Sequence, residues 1–100
     1  MPTDSAEFHE DAAAEYDAAF EWYLERNPDA ALEFDAEVDR WLEQIIQAPR
    51  RWAAGSYSTR RFLLKKFPFL LIYRERKSAG IQIVAVAHTS RKPEYWKSRL

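Results

Sequence analysis

From Asp11 to Glu25 apolar residues recur at three- and four-residue spacings (Ala12, Tyr16, Ala19, Phe20, Tyr23, Leu24) with carboxylates between them, which predicts an amphipathic helix. Asn27-Pro28 should end it near Arg26, because a residue before proline avoids helical geometry. The same dipeptide starts a second helix: Asn27 is a good N-cap, Pro28 fits the first helical position, and Asp29 complements the helix dipole. Phe34, Val38, Trp41, Leu42 and Ile45 continue the helical period to about Gln47, before Pro49. So short a connection predicts an antiparallel helical hairpin. Trp22, Trp41, Phe20, Phe34 and Ile45 fall on its apolar stripes and are expected to pack in the core or between the helices.

After the loop "RRWAAGSYS" the period changes to two. Arg60 to Lys66 alternates, with Phe62 and Leu64 on one face and Arg61, Leu63 and Lys65 on the other, and reads as a strand. A turn at Phe67-Pro68, a second strand "FLLIYRER", a turn from Lys77 to Gly80 and a third strand "IQIVAVAH" follow. Turns this short require antiparallel neighbours. The third strand is apolar on both faces, Ile81, Ile83, Ala85 and Ala87 against Val84 and Val86, and should be central, with its alanines letting a helix approach closely. Pro93 favours a last short helical turn, and Glu7-Phe8 could add an edge strand at the beginning. The fold class is therefore α+β: an N-terminal antiparallel helical hairpin packed on a small twisted antiparallel sheet, with a short C-terminal helix. With 100 residues, no linker and no repeat, residues 1–100 are expected to form one domain.

Charge sharpens this picture. Residues 1–49 carry fourteen acids against Arg26 and Arg40, a charge of −12; residues 50–100 carry thirteen Lys and Arg against Glu75 and Glu94, or +11. Either the halves neutralise one another inside the fold, or a cationic face is kept for an anionic partner. The helix carboxylates read as a solvated face. Glu10, Asp11 and Glu15 have spacings that could hold a metal, but with only His9 beside them no metal site is expected, and no cofactor. The chain lacks cysteine, begins with an acidic segment rather than a signal peptide, and has no membrane-spanning run, so a cytoplasmic location away from membranes is expected.

The densest chemistry is at the end, "IQIVAVAHTSRKPEYWKSRL", where an apolar strand stops at His88 and turns cationic and aromatic. Its histidine could serve as an acid or base, or simply hydrogen-bond to a nearby loop. Trp96 could anchor a partner or cap the open end of the sheet. Arg60 and Arg61 point to opposite faces of their strand, so one can pair with the helix acids while the other faces outward.

From about Phe8 to Arg99 the chain resembles the RelE/ParE superfamily, toxins of type II toxin–antitoxin modules often described as plasmid stabilisation proteins. The resemblance rests on "FHEDAAAEYDAAFEWYLERNPDAALEFDAEVDRWLEQIIQAP", on "RRFLLKKFPFLLIYRER" and on "IQIVAVAHTSRKPEYWKSR". It implies a growth-inhibiting toxin neutralised by a cognate antitoxin, usually co-encoded, whose C-terminal segment covers the basic surface in a hetero-oligomer.

The two branches imply different mechanisms. A RelE-like toxin would be a ribosome-dependent endoribonuclease cutting mRNA through the RNA 2′-hydroxyl, with His88 as base, Tyr95 as acid, and Arg61, Lys65 and Arg91 on the phosphate. A ParE-like toxin would do no chemistry of its own but bind DNA gyrase and block replication. The ending "AVAH" with "R-x-P-x-x-W" is closer to this second branch, in which Arg91, Tyr95, Trp96 and Arg99 would form the binding surface, with Arg60, Arg61 and Lys65 available beside it. A relative that keeps the fold and antitoxin binding without toxicity is the third reading. Gyrase binding is the expectation carried forward.

Overall fold

The computed structural model describes residues 6–77 and 80–100. In it, β1 (Ala6–Phe8) leads into two helices, α1 (Glu10–Arg26) and α2 (Pro28–Gln47), followed by β2 (Arg60–Leu63), β3 (Phe69–Arg76) and β4 (Gly80–His88). The expected hairpin forms around one residue. Asn27 is extended, its N–H donates to Tyr23 O to finish α1, and its side-chain oxygen accepts from the N–H groups of Asp29 (3.1 Å) and Ala30 (3.4 Å) to start α2. The predicted turn from Lys77 to Gly80 includes residues 78 and 79, which lie outside the described residues.

The four strands lie in the order β1-β4-β3-β2, so β4 has a neighbour on both sides, as its two apolar faces require. The antiparallel expectation holds for β2, β3 and β4. The edge strand at Glu7-Phe8 also forms, but β1 runs parallel to β4 and makes the sheet mixed. The whole helical hairpin separates β1 from the other strands, so no tight turn imposes the antiparallel direction on it.

Four local expectations are corrected. β2 stops at Leu63 rather than Lys66 because the side chain of Glu37 takes the place of a neighbouring strand: its oxygens accept from the backbone N–H groups of Lys65 and Lys66. Glu37 is therefore no member of a solvated face; it is 2% exposed and also accepts from Trp41 Nε1. The regular alternation of β4 breaks at Val84, where Tyr73 pairs with Ile83 but Ile72 with Ala85. This extra residue is a β-bulge, and it exchanges the faces of everything beyond it. Ala85 and Ala87 consequently turn away from the helices, and the small residues admit Trp96 instead. The segment from Pro93 to Trp96 is a turn, with a short 3-10 turn only at Lys97–Arg99, because Glu94 has φ of 63° and cannot continue a right-handed helix.

Two apolar clusters result, one on each face of the sheet. Under the helices, Phe34, Val38 and Ile45 pack on Phe62, Leu71, Tyr73, Ile83 and Val86. On the far face, Ile72, Val84, Ala85 and Ala87 are covered by Trp96 with Tyr95 beside it. Phe34 and Ile45 are buried as expected, and Phe20 and Trp41 pack against the first cluster from the side. Trp22 departs from expectation: it is 52% exposed, with the Arg26 guanidinium 3.9 Å from its ring centroid.

Candidate functional site

The bulge and the turn at Glu94 set the geometry of the C-terminal segment, which crosses the far face of β4 and returns to α1. There it meets Glu15, the residue that sequence reasoning left on a solvated face. One Glu15 oxygen accepts from the Val86 N–H (2.9 Å) and from Arg99 Nη1 (3.0 Å); the other accepts from the Tyr95 hydroxyl (2.7 Å) and Arg99 Nη2 (2.8 Å). Arg99 also donates to Val84 O (3.0 Å) and lies 3.7 Å from Asp11. With side chains only 17% and 12% exposed, Glu15 and Arg99 form a bidentate, largely buried ion pair with further hydrogen bonds completing it. Burial of Glu15 by itself raises its pKa, but the hydrogen bonds from Arg99, Tyr95 and Val86 outweigh it and hold the carboxyl below its ordinary range.

This clamp decides what the neighbouring groups can do. Tyr95 is pushed well above an ordinary phenol, first by burial and then by its hydrogen bond to Glu15, so it keeps its proton and donates it to a carboxylate. The Arg91 guanidinium lies over the Tyr95 ring, 3.8 Å from the centroid, and reaches within 4.0 Å of Glu15 while its side chain stays 53% exposed. His88 is exposed at the end of β4, edge-on to Phe69. Its Nδ1 accepts from the Ser90 N–H (3.0 Å) and lies 2.8 Å from Ser90 Oγ, so the neutral ring carries its proton on Nε2. The histidine thus does hydrogen-bond to its loop, as one of its two sequence readings had it.

The other candidates divide in the same way. Arg61, exposed, lines a cleft of about 240 Å³ together with His88, Arg91 and Trp96. Arg60 instead donates to Trp52 O (2.7 Å) and Arg50 O (3.3 Å), holding the preceding loop to the strand. Lys65 lies on the helix side of the sheet, 5.9 Å from the Trp41 ring, away from the tail. Trp96 is 6% exposed and caps the sheet, as the packing reading had it, with Tyr57 edge-on to its ring. Arg61, His88, Arg91 and Tyr95 are thereby gathered at one surface; Arg60, Trp96 and Arg99 support it from beneath or elsewhere, and Lys65 is not part of it.

Beside this surface a groove of about 460 Å³ runs between α1 and the turn before β3, walled by Ala18, Ala19, Trp22, Tyr23, Pro68, Phe69 and Val86 and ending at Glu15, His88 and Arg91. Its exposed Trp22 was hidden in the sequence by the helical period it shares with core positions. Among the described residues no group of His, Asp and Glu could hold a metal, and no helix is long and apolar enough to cross a membrane.

Comparison with known proteins finds likeness of two kinds, to a family and to solved structures. A family model described as the ParE toxin of type II toxin–antitoxin systems, parDE, matches residues 6–93. Among solved structures, a chain of the chromosomal ParDE TA system from P. aeruginosa superposes with a TM-score of 0.72, covering 86% of this chain and 96% of its own at 23% identity, a likeness of fold. No curated protein matches this chain significantly.

Proposed function

The chain belongs to the ParE toxin family of type II toxin–antitoxin systems, and from that premise we propose that it inhibits growth in the cytoplasm by gripping DNA gyrase through its tail surface, without chemistry of its own. The observation that carries this reading is the Glu15 clamp, which holds Tyr95 and Arg99 so that Arg91 is presented over a fixed ring and half exposed. An exposed arginine stacked on a fixed aromatic ring, next to Arg61 and His88, suits an interface anchor, because little side-chain entropy remains to be lost on binding. Ribonuclease chemistry asks for a free base and a willing acid. Here His88 Nδ1 is engaged by Ser90 and the Tyr95 proton by Glu15, which supports gripping over cleavage.

The same reading includes a cognate antitoxin. The groove beside Trp22 is apolar along most of its length and ends at His88 and Arg91, with its one carboxylate, Glu15, already paired with Arg99, a shape that suits an amphipathic, acidic segment. Seated there, such a segment would also cover Arg91 and so silence the tail. Purified protein is expected to inhibit gyrase supercoiling and accumulate cleaved DNA, with activity restored by the product of the adjacent gene. Cleavage of ribosome-bound transcripts with no effect on gyrase would reject the proposal in favour of the RelE-like mechanism.

A further inference from the structure

On the other side of the sheet from the tail, where α2 ends and the loop begins, lies a second cationic and aromatic cleft that the proposed grip does not use. Its floor is the aromatic cluster of Trp41, Phe62 and Trp52, with ring centroids 4.5 and 5.6 Å apart. Around it stand Arg40, 5.7 Å from the Trp41 centroid, Arg51, 5.3 Å from that of Trp52, and Lys65, 5.9 Å from Trp41; Gln44 completes a cleft of about 400 Å³. Among the described residues none of these three cations makes an ion pair, and no acid lines the cleft, so their charges converge on it without a carboxylate among them. Arg40 is one of only two cations in the first 49 residues, and it stands here.

We propose that this cleft binds a single-stranded segment of nucleic acid, its phosphates held by Arg40, Arg51 and Lys65 and a base laid against the indoles. Composition separates this occupant from an acidic peptide. No carboxylate and no aliphatic side chain lines the cleft, whereas the groove beside Trp22 has alanine, valine and proline walls suited to a peptide. Flat rings with loosely capped faces suit bases: the cations lie 5.3 to 5.9 Å from the ring centroids here, against 3.8 Å for Arg91 over Tyr95. The site is also held in place before binding, since buried Glu37 fixes both the Trp41 ring nitrogen and the backbone of Lys65. The inference stands on residues separate from the tail and is independent of the gyrase reading.

Titrating the full chain against labelled oligo-deoxythymidylate, oligo-uridylate and a duplex of equal length tests this, by anisotropy at two salt concentrations. Both single strands should bind more tightly than the duplex. With three phosphates neutralised, log affinity should fall against log salt with a slope of about −2, roughly fifteenfold between 50 and 200 mM. Combined Arg40→Gln, Arg51→Gln and Lys65→Gln should weaken binding at least tenfold and flatten the slope. Arg50→Gln, which removes a neighbouring arginine paired with Glu75, should stay within twofold. If the triple variant melts early, Arg51→Gln and Lys65→Gln singly should each cost about threefold. Failure of the wild type to bind at 50 mM salt, undiminished binding by the variants, preference for duplex, or displacement of the oligonucleotide by a poly-glutamate peptide at equal charge would each overturn the proposal.

Discussion

On one face of the sheet, helices of 17 and 20 residues bring Phe34 into contact with the rings of Tyr16, Tyr23, Phe67 and Phe69. On the other, a short tail covers Ile72, Val84 and Ala85 with one buried indole and is fastened by a carboxylate and a guanidinium. The first closure is apolar and redundant, so many contacts share the load. The second depends on a few directional bonds, which fix orientation as well as position. A surface meant to present Arg91 in one geometry is better served by the second kind, since a purely apolar contact would let the tail slide or rotate.

If the two faces differ in this way, substitutions on them should differ in size and in kind. Phe34→Ala, at 0% exposure, should cost the most, about 4 kcal/mol in urea denaturation, because the surrounding rings cannot all collapse into the space. Trp96→Ala should cost somewhat less, about 3 kcal/mol, since the tail can lift rather than leave a sealed cavity, and limited proteolysis should then cut after His88. Glu15→Gln should cost about 2 kcal/mol by leaving the Arg99 guanidinium with only the exposed Asp11 carboxylate as counter-charge.

The sign of the pH dependence follows from Glu15. Its folded pKa lies below its unfolded value of about 4.5, so the clamp contributes fully above that value and is lost as pH falls through the lower, folded pKa. The stability gap between wild type and Glu15→Gln should therefore be constant at neutral pH and narrow on acidification below about 4.5; a gap that widened there would show the clamp to be uncharged. Arg91→Ala should have the smallest effect on stability, within about 0.5 kcal/mol, because its side chain is half exposed.

Much of the scaffold was legible in the chain because it is written in short periods. Asn27-Pro28 encodes the junction of both helices in two residues, and the alternation of Phe62 and Leu64 with Arg61 and Leu63 encodes the inner face of β2. The bulge at Val84 was not legible, since Ile83 to Ala87 is apolar throughout and no change of pattern marks the extra residue. Glu15 and Glu37 were hidden for a different reason: each sits in a run of similar helix carboxylates and is distinguished only by what lies 71 residues and 28 residues away in sequence. The opposite charges of the two halves signalled that such pairs exist, and Arg99 with Glu15, Arg76 with Glu7 and Lys66 with Glu33 are among them, but charge counts do not choose partners. The nearness of His88, Arg91 and Tyr95 could be anticipated from the tail's composition, and the capping role of Trp96 was one of its two readings, whereas the approach of Arg61 and the supporting roles of Arg60 and Arg99 required the fold.

In the proposed mechanism the tail grips through Arg91 and does not react through His88. The most direct measurement compares wild type, Arg91→Ala and His88→Gln in a gyrase supercoiling assay, with melting temperatures recorded alongside. Loss of inhibition by at least tenfold in Arg91→Ala at an unchanged melting temperature, with His88→Gln within about threefold of wild type, is the predicted result; inhibition that survives Arg91→Ala but disappears with His88→Gln would contradict it.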